Sequence, residues 1–171
     1  VAKIINYSIA YGAGPFRISE ELKIPMKEAS RIINNYFDRY PGIKQYIEDT
    51  IEFGTKNGFV KTRLGRQRNT INLRSQNRNI QEAEKRATIN MPIQGTASEL
   101  IKIAMIDIDN KIRDLKTKMI LQVHDELLFE VPDFEKDKII QLVKESMENA
   151  MKFKVPIKVD YNCGKTWYDA H

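Results

Sequence analysis

Cysteine is nearly missing. Cys163 stands alone among 171 residues, so no disulfide can form within the chain. One cysteine and two histidines also rule out a standard zinc site, which needs about four such ligands. Long apolar runs are missing too: none approaches the ~20 residues that cross a bilayer, and nothing resembles a secretory leader. A soluble protein of a reducing compartment, without a membrane partner, is expected. No internal repeat and no low-complexity linker is present. The length suits one ordinary domain or two small lobes. Such a chain buries about two-thirds of its unfolded surface without staples.

Charge of both signs is plentiful, with a formal net charge of +5 and a pI near 9.2. Its distribution says more than its total. Lys61, Arg63, Arg66, Arg68, Arg74, Arg78, Lys85 and Arg86 face only Glu82 and Glu84 across the same stretch. A charge run is commonly a solvated face. This one is dominated by Arg with Asn and Gln between the charges, and guanidinium forks match phosphate oxygens, so a polyanion is the better expectation.

The run "MILQVHDELLFEV" (Met119–Val131) poses the sharpest question, because three polar residues interrupt an apolar stretch. A single strand of that length would be about double the usual ~5–6 residues. Two strands, Met119–Val123 and Leu127–Val131, joined at His124-Asp125-Glu126, predict a buried hairpin with an acidic tip. Mg²⁺ is held by one or two carboxylates plus substrate phosphates, so Asp125 and Glu126 are the hard-cation candidates. Two adjacent acids do not complete a two-metal site, and a further carboxylate must come from elsewhere.

Around that hairpin the pattern is mostly helical. Val1–Gly12 reads as helix with no cap ahead of it, as in a piece of a longer chain. Ser19 is expected to cap a short turn, and Pro25 to open a helix that Tyr40-Pro41 ends. Another helix follows to Asn57-Gly58. Phe59–Leu64 and Asn69–Leu73 suggest short strands around Gly65-Arg66-Gln67. A helix from Gln76 is expected to break at Pro92 and Gly95 and restart at the capping-box pattern Thr96-Ala97-Ser98-Glu99. It then runs to about Leu115. A helix from Phe134 to about Met151 and a final strand, Val155–Tyr161, complete an α+β arrangement: a small antiparallel sheet backed by helices.

Two stripes stand out on these helices. Lys3, Tyr7 and Tyr11 are spaced by four, and each step turns ~40° past a full circle, so they share a face. A cation and two rings suit a nucleotide's phosphates, sugar and base. Arg86, Asn90 and Gln94 repeat the spacing, and all three can donate to acceptors in a minor groove. On spacing alone, an ordinary polar helix face explains either stripe as well or better.

Taken together, the pieces resemble the C-terminal part of a family A DNA polymerase of the bacterial DNA polymerase I type. "KIINYSIAYG" (Lys3–Gly12) is similar to that family's motif B, and "QVHDELLFEV" (Gln122–Val131) to its motif C. "RATINMPIQGTASELIK" (Arg86–Lys102) resembles the segment between them, and "LGRQR" (Leu64–Arg68) an arginine-rich turn ahead of it.

The resemblance implies a partial right-hand polymerase fold, with part of the fingers in residues 1–95 and part of the palm in 96–171. It implies a DNA-directed DNA polymerase that adds deoxynucleotides to a primer 3′ end, with primer-template DNA, deoxynucleoside triphosphates and two Mg²⁺ ions as partners. The implied setting is the bacterial cytoplasm at the nucleoid, with an organelle left open. Lys3 would meet the triphosphate, Tyr7 the sugar, and Tyr11 the templating position. Arg68 would touch the primer-template backbone, while Arg86, Asn90 and Gln94 would line the minor groove. His124 would lie near the primer terminus, and Asp125, helped by Glu126, would bind metal. The family's motif A, with its second essential aspartate, would lie in the rest of the polymerase chain upstream of Val1, so this stretch alone is expected to be inactive. The alternatives are a non-catalytic nucleic-acid-binding module and a single-subunit RNA polymerase, the latter disfavoured by the "QVHDE" context of Asp125.

Overall fold

Apolar spacing and helix-opening prolines account for the first half of the chain. Helix α1 spans Ala2–Ala10, α2 Pro15–Leu22, α3 Met26–Arg39 and α4 Pro41–Asn57. Pro15 and Pro41 sit in first turns, where their missing N–H has no intrahelical partner to lose. Gly58 ends α4 in a left-handed conformation and returns its N–H to the Gly54 carbonyl at 2.9 Å. The computed structural model describes residues 2–170, with side chains from Ile5 onward. Ser19 is no cap. It lies inside α2, and its hydroxyl donates to the Ile24 carbonyl at 2.6 Å.

The chain divides into two compact units, Val1–Thr96 and Ala97–His171. In the first, Ile9, Ile18, Ala29 and Ile33 form one buried cluster across α1, α2 and α3. Strands β1 (Phe59–Lys61) and β2 (Gln67–Asn69) form an antiparallel hairpin with Val60 opposite Arg68. The second strand starts earlier and stops sooner than its sequence predicts. Gly65, at φ +92°, turns the chain tightly, with the Thr62 N–H donating to the Arg66 carbonyl. Ile71–Arg74 then coils into a 3-10 turn.

Helix α5 runs unbroken over 35 residues, Arg78–Ile112, with Pro92 inside it. The expected break does not occur. The Tyr46 hydroxyl donates to the Ile89 carbonyl at 2.9 Å, and the Thr96 hydroxyl to the Pro92 carbonyl at 2.5 Å. Thr96 therefore points back into its own helix instead of capping a new one.

In the second unit, β3 (Lys118–Val123) and β4 (Glu126–Glu130) pair antiparallel, with a bulge between Met119 and Leu121. Ile101, Ala104, Ile108 and Ile112 of α5 pack with Ile139 and Met147 of α6 (Lys136–Asn149), beside Met119, Leu127 and Phe129 of the hairpin. The α+β class is as expected, with a short α7 (Trp167–Ala170) at the end. The final strand is not. Val155–Tyr161 joins no ladder among the described residues, and the Val159 N–H is taken by the Glu148 carboxylate at 3.1 Å. Alternating apolar residues make a strand only where a neighbouring edge accepts their backbone. No helix among the described residues is long and apolar enough to cross a membrane.

A buried carboxylate holds the foot of the β3–β4 hairpin. Glu135 accepts the N–H groups of Lys116 and Thr117 at 3.0 and 2.9 Å, and the Thr117 hydroxyl at 2.6 Å. These bonds, the Thr117 hydroxyl foremost and the Lys116 N–H next, hold its carboxyl below the ordinary value of 4.5. A carboxyl lowered on folding stabilises the folded state above its unfolded value and loses that contribution as pH falls through the folded one. Glu135→Gln is therefore expected to lower the unfolding temperature at neutral pH. The gap to the unmodified protein should narrow as pH falls below about 4.5. Thermal unfolding of both proteins from neutral to acid pH checks this, and a gap that stays constant refutes it.

Candidate functional site

Helix α1 buries Ile9 and turns its aromatic residues outward. Tyr7 is 55% exposed, and its ring stacks on Tyr11 with centroids 6.2 Å apart and 19° between planes. The two phenols thus form a continuous flat ridge, as the spacing by four expects. Lys3 belongs to the same helix, but its side chain lies outside the described residues.

Gly12 brings this ridge against α5. It adopts φ +79°, and a Cβ there would lie 3.3 Å from Ile89 Cδ1 and 3.4 Å from Arg86 Cγ. The residue after Tyr11 therefore abuts the first member of the second stripe. Along that stripe Arg86 and Gln94 are exposed and Asn90 is half-buried. The Asn90 amide oxygen is shut away from solvent without a hydrogen-bond partner, an uncommon state for a polar atom. Ridge and stripe are neighbours within the first unit.

The other side of α5 carries the basic hairpin. A Cβ on Gly95 would meet Thr62 Cγ2 at 2.6 Å. Thr62 is buried there, and its hydroxyl oxygen accepts the Arg66 N–H at 3.1 Å. Next along the helix, the Thr96 oxygen accepts the Arg63 N–H at 3.0 Å. Toward the N-terminal end of α5, Arg68 Nη1 is ion-paired with the buried carboxylate of Glu84. Glu82 pairs with Lys85 at 2.8 Å, so each acid of the block neutralises a base of the same block. Arg74 donates Nη2 to the Thr55 carbonyl at 2.6 Å. Sequence reasoning missed Glu84 and Thr96 in these roles. No periodicity links Arg68 to a partner 16 positions away, and the capping-box pattern assigns Thr96 to a helix start.

The acidic tip belongs to the second unit. Val123 pairs with Glu126, leaving His124 and Asp125 as a two-residue turn. His124 takes φ +51°, as the first position of a tight hairpin turn requires. For a residue other than glycine this costs about 1–2 kcal/mol. The Gln122 amide donates to the His124 carbonyl at 2.7 Å across the turn. The hairpin is less buried than its apolar sequence predicts: Leu121, His124, Asp125 and Glu126 are exposed, and Leu127–Phe129 only half-buried. Glu126 opens β4 instead of belonging to the turn. Among the described residues, no three His, Cys, Asp or Glu side chains gather where they could hold a metal ion. Asp125 and Glu126 offer hard oxygen donors of the kind Mg²⁺ takes, but only part of a set.

The α1–α5 junction makes one strict demand. Gly12→Ala is expected to destabilise the protein by about 1–2 kcal/mol through its left-handed backbone, with added strain against Arg86 and Ile89. Gly14→Ala serves as the control, since nothing lies within 4 Å of a Cβ there. Denaturant unfolding of both variants checks this, and equal midpoints would contradict it.

Comparison with known proteins adds to the geometry. A family model described as DNA polymerase family A matches residues 1–169. The chain is 44% identical over 170 residues to DNA polymerase I of Caldicellulosiruptor bescii, covering 98% of this chain and 20% of that protein. It is also 44% identical over 168 residues to DNA polymerase I of Deinococcus radiodurans, covering 98% of this chain and 18% of that protein. The chain therefore spans about a fifth of the length of these relatives. Among solved structures it is similar to the POL domain of Pol1 from M. smegmatis in complex with DNA primer-template and dNTP. That match has a TM-score of 0.95 and 42% identity, and covers 98% of this chain and 30% of the other.

Proposed function

This chain belongs to DNA polymerase family A, and on that premise we propose that it is the fingers and palm part of a DNA-directed DNA polymerase. Residues 1–95 take the fingers role and 96–171 the palm role. The substrates are primer-template DNA and deoxynucleoside triphosphates, and the setting is the bacterial cytoplasm at the nucleoid. The observation that carries the reading is the acidic tip. Asp125 and Glu126 are consecutive and exposed, the first in a two-residue turn and the second opening β4, on a hairpin clamped at its foot. That is a rigid mount for charge, as a preorganised site needs.

In this reading Asp125, with Glu126 beside it, would hold Mg²⁺. Bound there, the metal would supply a more acidic primer 3′-hydroxyl and counter-charge for the triphosphate. Lys3 adds positive charge at the triphosphate. Tyr7 lies against the sugar and Tyr11 near the templating base, their stacked rings offering flat apolar faces. Arg86, Asn90 and Gln94 donate into the minor groove beside the primer end, with His124 near its terminus. The chain's own acidic donors at the tip number two, so the remaining carboxylate comes from elsewhere in the longer polymerase. That shortage favours a second reading for the chain taken by itself: a nucleic-acid-binding module without catalysis.

Primer extension by the complete polymerase tests the tip. Asp125→Asn is expected to lower turnover by several orders of magnitude with DNA affinity nearly unchanged. A variant that keeps about a tenth of the turnover overturns the role.

The hydroxyl of Tyr7 carries a separate expectation. It can offer the hydrogen bond that a sugar lacking its 3′-hydroxyl cannot make. The complete enzyme should therefore accept dideoxynucleotides almost as readily as normal ones, and Tyr7→Phe should restore discrimination. One or two hydrogen bonds at ~1.5 kcal/mol each allow a factor of roughly ten to a few hundred. The ratio of kcat/KM for the two nucleotides measures it. An unmodified enzyme that already rejects dideoxynucleotides as strongly as the Phe variant would remove Tyr7 from the sugar.

A further inference from the structure

We infer that Glu84 is a positioning residue for Arg68. Against the backbone contact that the resemblance implies for Arg68, it keeps that guanidinium on α5 and away from the phosphates of a bound duplex, so the hairpin meets a polyanion with one charge fewer than its sequence carries. The inference rests on the reading of the first unit as a duplex-binding surface.

Burial separates this pair from the block's other ion pair. The Glu84 side chain is 7% exposed, against 38% for Arg68. Glu82 and Lys85 are 46% and 34% exposed, so both remain solvated when they part. Glu84 does not. If Arg68 turned to a phosphate, a buried carboxylate would be left without its cation, which is the costly way to break an ion pair. The attraction on offer in exchange is a surface contact, screened by salt and water. The same Nη1 also donates to the Asn69 carbonyl at 3.3 Å, fixing the guanidinium along β2. Arg68 thus fastens one end of the hairpin to α5, as Gly95 and Thr96 fasten the other.

Salt dependence reads this directly, because each phosphate contact adds about 0.9 to the slope of log affinity against log salt. The experiment is a salt series of primer-template binding by the complete polymerase and two variants. Glu84→Gln removes the counter-charge and frees Arg68, so the slope should steepen by about 0.9; an unchanged slope overturns the inference. The double variant Arg68→Met with Glu84→Met removes the pair at constant net charge, and should bind with the native affinity and slope. A slope shallower by about 0.9 shows that Arg68 was a phosphate contact and overturns the inference alone. Should Glu84→Gln fail to fold, the double variant still decides, since apolar side chains commonly replace a buried pair without loss. Binding by the native protein that does not depend on salt overturns the duplex-surface reading and takes the inference with it.

Discussion

One demand on α5 governs the first unit: the helix has to pass through Pro92 without breaking. A proline in a helix interior costs about 3 kcal/mol, through the lost N–H and the crowded carbonyl one turn earlier. Side-chain bonds from Tyr46 and Thr96 to neighbouring carbonyls return about 1 kcal/mol each, which is not enough. Burial supplies the remainder. Ile89, three positions before the proline, is 3% exposed, and burying a side chain of that size contributes about 1.5–3 kcal/mol. Everything docked on the helix presupposes its continuity. Gly95 and Thr96, which seat the basic hairpin, lie three and four positions beyond the proline, and a break would turn them away from Thr62 and Arg63.

The second unit solves a different problem, that of holding a charged tip still. A two-stranded hairpin is marginal on its own, and this one carries a left-handed His124. Its stability comes from the opposite end. Glu135 grips the backbone just before β3, roughly 20 Å from the turn at 3.3 Å per strand residue. Met119, Leu127 and Phe129 rest on the helices. The strain at the turn and the anchorage at the foot are complementary, since a loosely held hairpin would relax the first by giving up the second.

How much of this was legible in the sequence depended on whether the deciding force was local. The start of α3 one residue after Pro25, the Gly58 stop and the two-strand reading of Met119–Val131 follow from backbone chemistry within a few residues, and they were readable. So were the shared faces of Tyr7 with Tyr11 and of Arg86 with Gln94, which are consequences of helical period. Pro92 misled because the forces that overrule it come from Tyr46, 46 positions earlier in the chain than Pro92, and from core packing. Val155–Tyr161 misled because alternation describes one strand and says nothing of a partner edge. Glu84 and Glu135 carried no pattern at all. A buried acid declares itself only through the donors the fold brings to it.

The exposure of the tip has a consequence for its chemistry. Two unit charges ~4 Å apart repel by about 1 kcal/mol in bulk water and by about 4 kcal/mol in the effective dielectric near a protein surface. Asp125 and Glu126 follow one another in the chain and both face solvent, which keeps any repulsion between them toward the lower figure. A polyphosphate arriving over the turn would displace that solvent and add negative charge of its own, so the repulsion would grow as its screening fell. An acidic turn can receive such a substrate only together with a counter-charge. On the proposed metal-binding reading, substrate and cation would therefore bind at the tip as one coupled event, because two exposed carboxylates take a polyphosphate only with its counter-charge.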